Sequence, residues 1–487
     1  MSLHASVLSG TRWMIALRWV NRLLGIASVA VLARFLEPAD FGLVAMASLA
    51  VGLVDVWMQW GLENAVVQSR STQRELLDTA WTLRVLQGLL VAGAVAAAGP
   101  IAAAYFNEPR VTHIMWALAP GIAVAGAANI GVVLFRKELN FRAEFMLQFS
   151  ARVIQIGSGI AAAIAFRSYW ALVVGTLAGY VATFLLSYIL HPFRPRWTLS
   201  AWRELWSFSA WTLVANISYF AETKADELVV GRVGTARDMG LYSVSSDLGQ
   251  SASLEIAAPL GRVLFPAFSK MQDDAERLAA SFSRAFEALV ILIVPAGVGL
   301  ALVASEAVEL LLGPKWPDAA PFVAILAIYG VIRSAVAPVS SMLLALGRPK
   351  VLALISWSGV IFFVAVVAAI GSRYGIAGIA FAKLAAGLFI TVTSLWCLTT
   401  VIPLRLNALL LPLLRVVLSA GVMAIAVQHV PPTGLGVVFH VMVKIVVGAA
   451  VYTTATLVWW FWRGKPVGLE RSALSYAKGL IVRDGGA

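Results

Sequence analysis

Apolar runs of about twenty residues recur from one end of the chain to the other, separated by short polar breaks. The breaks carry Pro or Gly, as in "EPAD", "NEPR", "GRPK" and "HVPPTG". A run of about 20 apolar residues is the length a helix needs to cross the hydrocarbon of a bilayer. The pattern predicts fourteen such helices, over 12–34, 41–60, 80–105, 112–135, 145–166, 168–191, 206–231, 239–268, 279–303, 317–346, 350–371, 374–399, 406–428 and 434–462. No break is long enough for a separate soluble domain. The expected fold class is therefore all-α and polytopic, with about fourteen transmembrane helices.

Composition agrees with the pattern. The chain is 60% apolar and 13% charged, with a mean hydropathy of +0.85. Soluble domains sit nearer half apolar and a quarter charged. The start, "MSLHASVLSG", has neither the basic region nor the apolar run of a cleavable signal, so the first span is expected to be retained. A single cysteine, Cys397, and five scattered histidines offer no disulfide framework and no metal-ligand spacing. The net charge of +12 changes the picture most through its distribution. With the N-terminus in the cytoplasm, twenty Lys/Arg fall on the inside and seven on the outside. That asymmetry predicts N-in and C-in, and it explains the basicity without nucleic acid. Trp197, Trp202, Trp206, Trp316, Trp459, Trp460 and Trp462 fall at predicted span ends and read as an interfacial belt.

The chain also repeats itself at an offset of 198 residues. "WMIALRWVNRLLGIASVAVLARFLEPADFGL" from Trp13 then lies on "WTLVANISYFAETKADELVVGRVGTARDMGL" from Trp211. Arg34 meets Arg232, Asp40 meets Asp238, and Gly42-Leu43 meets Gly240-Leu241. Six spans intervene, so the copies run in the same direction, as parallel repeats do. The expected organisation is an N-lobe over 1–198, a C-lobe over 199–402, an extra span pair over 403–462 and a cytoplasmic amphipathic tail over 463–487.

Ten basic residues fall inside the predicted spans. The apolar run Leu23–Ala33 has eleven residues, too few to cross. A full crossing must begin near Met14, which puts Arg18 and Arg22 roughly 6–12 Å into the span at 1.5 Å per residue. Each central Arg costs about 2.5–3.5 kcal/mol on insertion scales, and like charges at i,i+4 repel. Snorkelling to the headgroups is the structural reading of such residues, and it serves Arg84 and Arg152 as well as a cavity does. Lys383 is central in its span and least able to snorkel. Arg415 and Lys444 lie in the extra pair, where helix pairing and cargo contact fit equally. Acidic and amide groups accompany them: Asn21, Asp55, Asn216, Glu222, Asp226 and Asp247 fall in spans 1, 2, 7 and 8, with the basic Lys224 beside them in span 7. Ion pairing between helices explains individual charges; their concentration in the spans that head the two repeats points to a wet, cation-lined cavity for an anionic headgroup.

Several stretches resemble a known family. "LARFLEPADFGLVAMASL", "ADELVVGRVGTARDMGLYSVSSDL", "LFPAFSKMQDDAERL" and "LLGPKWPDAAPFVAIL" look like bacterial polysaccharide and O-antigen flippases (Wzx-type) of the multidrug/oligosaccharidyl-lipid/polysaccharide exporter superfamily. The resemblance runs from about residue 9 to 460. It implies two helical lobes in the bacterial inner membrane and alternating access that moves an undecaprenyl-diphosphate-linked oligosaccharide from the cytoplasmic to the periplasmic leaflet. It implies that Arg18 and Arg22 contact the diphosphate; the polar groups inside the spans add Asn21, Arg84, Asn216, Lys224 and Lys383 as candidate cargo contacts. The second repeat has Asn216 and Phe220 at the positions of the arginine pair, so no symmetric pair exists. Asp55, Glu222, Asp226 and Asp247 are the candidates for ion coupling or gating, by H+ or Na+; no other cofactor is expected. The lipid-linked cargo, the bilayer and other polysaccharide assembly proteins are the expected partners, and nucleic acid is not.

Two alternatives stand beside this expectation. A cation-coupled multidrug exporter of the same superfamily usually has twelve spans and an acidic cavity; fourteen spans and first-helix arginines argue against it. A membrane glycan polymerase or ligase needs a sizeable outside loop with acid or nucleophile groups, and the largest outside loop offers only Glu306 and Glu309. No P-loop, metal cluster or triad is present in the sequence, so the chain is not expected to be an enzyme.

Overall fold

The protein, seen in a computed structural model, is described over residues 3–58, 66, 74–138, 140–202, 209–405, 407–432 and 434–462. The expected amphipathic tail over 463–487 lies outside the described residues. All regular structure among the described residues is helical. The long helices are α1 (Leu3–Phe35), α2 (Pro38–Met58), α3 (Arg74–Phe106), α4 (Arg110–Gly126), α5 (Phe141–Phe166), α6 (Trp170–Leu190) and α7 (Ser209–Val233). They continue as α8 (Ala236–Ser269), α9 (Ala275–Leu302), α10 (Ala320–Ala335), α11 (Pro349–Val366), α12 (Ser372–Val401), α13 (Asn407–Gln428) and α14 (Val437–Trp462).

Eleven described helices are long and apolar enough to cross a membrane, and counting one bent pair as a single crossing gives twelve. The bent pair is Arg110–Gly126 with Ile130–Lys137, which turn by 69°. Asn129 makes that bend: its side-chain oxygen accepts the Gly131 N–H at 2.9 Å, and its amide donates to the Phe193 carbonyl at 2.7 Å. α7 and α8, with 25 and 34 residues, have the length but carry acidic and basic groups through their middles. With these two, the fourteen predicted spans are compatible with the helices present. This is a multi-pass membrane protein.

The chain forms two compact units. The first comprises Met1–Ser243 with Leu311–Lys315, the second Val244–Leu310 with Trp316–Ala487. In the first unit α3 packs on α4, α5 on α6, α1 on α5 and α7 on α2. The segment after α6 is extended and strapped to α3. Asp78, 5% exposed, accepts the Arg196 N–H at 2.8 Å, Thr82 Oγ1 accepts the Thr198 N–H at 3.1 Å, and Trp197 meets Trp81 edge to face at 4.9 Å.

The repeat seen in the sequence reappears as matched geometry at the starts of α2 and α8. Pro38 opens α2 at the position that tolerates its missing N–H. One turn in, Asp40 Oδ2 accepts the Glu37 N–H at 2.9 Å. At the equivalent place, Asp238 Oδ2 accepts the Thr235 N–H at 2.9 Å while Thr235 Oγ1 accepts the Asp238 N–H at 3.2 Å. This is a reciprocal capping box. The two starts meet. A Cβ on Gly42 would lie 1.7 Å from the Ala236 carbonyl oxygen, and a Cβ on Gly240 would lie 1.8 Å from the Pro38 carbonyl oxygen. Pro38 and Ala236 are themselves 198 residues apart, so the contact is nearly two-fold.

In the second unit α9 packs against α10 and α13, α13 against α14, and α12 against α10 and α11. Phe282, Phe286, Leu289, Ile293, Val339 and Met342 are fully or almost fully buried at its centre. The span predicted over 317–346 breaks near Val336, where Ala337–Ala345 starts a second short helix with Pro338 in its first turn. The extra pair is fixed by polar bonds to α9 and the short helix that follows it, Ala304–Leu312. Arg415 Nη2 donates to Glu287 Oε1 at 3.0 Å, Tyr452 Oη donates to the Ile291 carbonyl at 2.8 Å, and Lys444 donates to Glu306. Two of the predicted belt tryptophans are core residues instead: Trp316 is 0% exposed and Trp460 4%. Trp316 follows the short helix and turns inward with the Pro317–Ala319 turn. Trp197, Trp202 and Trp462 are exposed, as a belt requires; Trp206 lies outside the described residues.

Candidate functional site

Two polar cavities lie inside the first unit. Their linings come from short polar stripes on apolar helices. On α2, Ser48, Gly52 and Asp55 stand at i, i+4 and i+7; on α3, Arg84, Gln87 and Gly88 share one face. With Val51, Val91, Leu118, Ile122, Ala125, Gly126 and Tyr180 they line a cavity of about 480 Å³. Gly88 and Gly126 let α3 and α4 close on one another: a Cβ on Gly88 would lie 2.9 Å from the Gly126 Cα. Both glycines line the cavity.

The second cavity, of about 420 Å³, lies between α1, α5 and α6. Gln148, Arg152 and Gln155 on α5 and Thr176, Tyr180 and Thr183 on α6 each stand at i, i+4 and i+7. Asn21 completes it from α1. Arg152 Nη1 donates to Gln155 Oε1 at 2.9 Å. Tyr180 lines both cavities. Both volumes fall in the range of small-molecule sites.

Three of the residues singled out in the sequence therefore line cavities: Asn21, Asp55 and Arg84. Arg152, which snorkelling explained equally well, also lines one. Arg18 and Arg22 lie on α1 with Asn21 and are half-buried. The remaining candidates stand elsewhere. On α7, Lys224 Nζ donates to Glu227 Oε1 at 2.6 Å, with Glu227 6% exposed. Asp226, 2% exposed, accepts from Tyr242 Oη at 2.7 Å. Asn216 and Glu222 are half-buried on the same helix, and Asp247 is exposed on α8. Lys383, 4% exposed, has its ammonium 4.9 Å from the centre of the Tyr329 ring. A desolvated cation over an aromatic face is stabilised by about 2 kcal/mol or more.

Gln87, Gln148, Gln155, Thr176, Tyr180 and Thr183 were not singled out in the sequence. A search for charges passes over uncharged polar residues. The signal that finds them is the i, i+4, i+7 spacing, repeated on α5 and α6.

The sequence model of a family described as "Polysaccharide biosynthesis protein" matches residues 31–321. The chain is similar to the lipopolysaccharide biosynthesis protein WzxC of Escherichia coli K12, 27% identical over 72% of each chain. It is similar to the teichuronic acid biosynthesis protein TuaB of Bacillus subtilis, 22% identical over 71% of this chain and 73% of that one. Among solved structures, the lipid II flippase MurJ in an inward closed conformation shares the fold. The TM-score is 0.74 at 14% identity, over 92% of this chain and 99% of that one.

Proposed function

The chain belongs to the polysaccharide biosynthesis protein family, and from that premise we propose that it is a flippase. Its cargo is an undecaprenyl-diphosphate-linked oligosaccharide, carried from the cytoplasmic to the periplasmic leaflet of a bacterial inner membrane. The chain sits there with both termini inside. The carrying observation is the run of guanidinium and amide groups within the apolar helices of the first unit: Arg18, Asn21 and Arg22 on α1, Arg84 on α3 and Arg152 on α5. Ionisable groups within membrane-spanning helices are costly and by default mark a functional pathway.

The diphosphate binds Arg18 and Arg22, since a guanidinium offers phosphate a bidentate fork. Arg84, which lines a cavity of the first unit, and Lys224 assist. The glycan stays in wet space while the polyprenyl chain remains in lipid. Alternating access then delivers the cargo outward. Asp55, exposed in the same cavity as Arg84, is the carboxylate best suited to take a coupling proton or sodium ion. The test replaces Arg22 with Ala and follows surface polysaccharide and the lipid-linked intermediate held in the cytoplasmic leaflet. The expected result is accumulated intermediate and reduced polymer; normal export at a normal protein level refutes the assignment.

A further inference from the structure

We propose that the cavity between α1, α5 and α6 is a glycan subsite, in which carboxamides and hydroxyls hold sugar hydroxyls of the cargo. The inference rests on the flippase reading and deepens it: it separates the group that holds the sugar from the arginines that hold the diphosphate.

The first ground is Asn21. Its side-chain oxygen is buried and accepts no hydrogen bond from any described residue. Native proteins rarely leave a buried acceptor without a donor, and Asn21 is one of the residues that line the cavity. The second ground is the lining. Thr176 Oγ1 donates to the Leu172 carbonyl and Thr183 Oγ1 to the Gly179 carbonyl, each at 2.9 Å, which leaves both oxygens as acceptors. Gln155 Oε1 accepts from Arg152 at 2.9 Å, which leaves its NH2 group as a donor. The cavity thus presents donors and acceptors in mixture.

That mixture selects the ligand. A phosphate at neutral pH brings acceptors and cannot satisfy Asn21 Oδ1. A metal cation would want carboxylates, and none lines this cavity. A sugar hydroxyl both donates and accepts, so a ring of them can bond Asn21, Gln155 and the threonines together. Arg152 adds one positive charge and so favours sugars with an acidic substituent. Gly179 leaves room for Gln155 in the cavity wall: a Cβ there would lie 3.2 Å from Gln155 Cβ and Cγ.

The experiment uses the full chain purified in detergent and two probes. One is undecaprenyl diphosphate. The other is the lipid-linked intermediate that accumulates in a host strain lacking this protein. Each is scored by the rise in melting temperature it produces. The wild type is expected to gain more from the glycosylated lipid than from the bare one. Thr176→Val and Asn21→Leu are expected to lose that additional rise, and Thr176→Val to keep the rise given by the bare lipid. Thr176→Val is nearly isosteric and guards against a folding defect in the Asn21 variant. An additional rise that survives in both variants overturns the subsite. So does a wild type that responds equally to the two lipids, which leaves the cavity merely solvent-filled and the diphosphate assignment intact. A wild type that responds to neither lipid defeats the flippase reading, and the subsite falls with it.

Discussion

Replacing Gly42 with Ala should pry apart the starts of α2 and α8. The added Cβ would sit 1.7 Å from the Ala236 carbonyl oxygen and 2.8 Å from the Gly240 nitrogen, whereas real Cβ contacts essentially never fall under 3.0 Å. The obstructing atoms are backbone, so no rotamer can yield. Overpacking a tight contact typically costs about 1–3 kcal/mol, and a clash with two fixed backbones belongs at the upper end, near ~3 kcal/mol. At 1.4 kcal/mol per decade this moves the closed contact about a hundredfold toward separation. The assay uses a Cys397→Ser background and a cysteine at Met46, a residue on α2 one turn beyond the contact and 0% exposed. Cysteine at this position should resist a polar maleimide with Gly42 present and react with it in Gly42→Ala. Because Gly240 meets Pro38 in the same way, Gly240→Ala should produce the same labelling. Equal protection in all three proteins, with unchanged melting temperatures, would refute the steric reasoning.

Arg415 is 4% exposed and bonded to Glu287 at 3.0 Å. Arg415→Ala should lower thermal stability strongly, since stranding one partner of a buried pair costs about 3–5 kcal/mol. Adding Glu287→Leu in a double variant with Arg415→Met should restore most of it; a double variant as unstable as the single would exclude the pair as the cause. Glu306 offers a pH test. Burial pushes its carboxyl up, but the hydrogen bond from Lys444, with the charges of Lys444 and His440, outweighs burial and holds it below the ordinary value. A depressed folded value stabilises above the unfolded carboxylate's pKa of about 4.3 and is lost as pH falls through the lower folded value. Glu306→Gln should therefore melt below wild type at neutral pH, and the gap should close on acidification; a gap constant with pH would be the contrary result.

The helices were legible because hydropathy responds to runs of twenty residues and tolerates scattered charges. Breaks inside those runs were harder to read. The 69° bend after Gly126 depends on Asn129 bonding to the strap at Phe193, a partner 64 residues away. Near the start of α12 the helix is kinked at Gly375, with φ of +55°, a conformation that glycine adopts without steric cost. Charges inside spans were equally visible, but their partners were not. Nothing local tells Arg84, which lines a cavity, from Arg415, which is locked to a carboxylate 128 residues earlier. Trp316 shows the same limit. Its place at a span end suggested an interface, and only tertiary packing reveals that it is fully enclosed.

The bonds that fix α13 and α14 bear on where this chain could be shortened. A protein ending after Leu404 would leave Glu287, Glu306 and the Ile291 carbonyl without Arg415, Lys444 and Tyr452. Two carboxylates and a carbonyl would then each lose a bond that the last two helices supply. The last hairpin is thus no detachable appendage, and a twelve-helix ancestor or offshoot would have had to rewrite α9 to live without it.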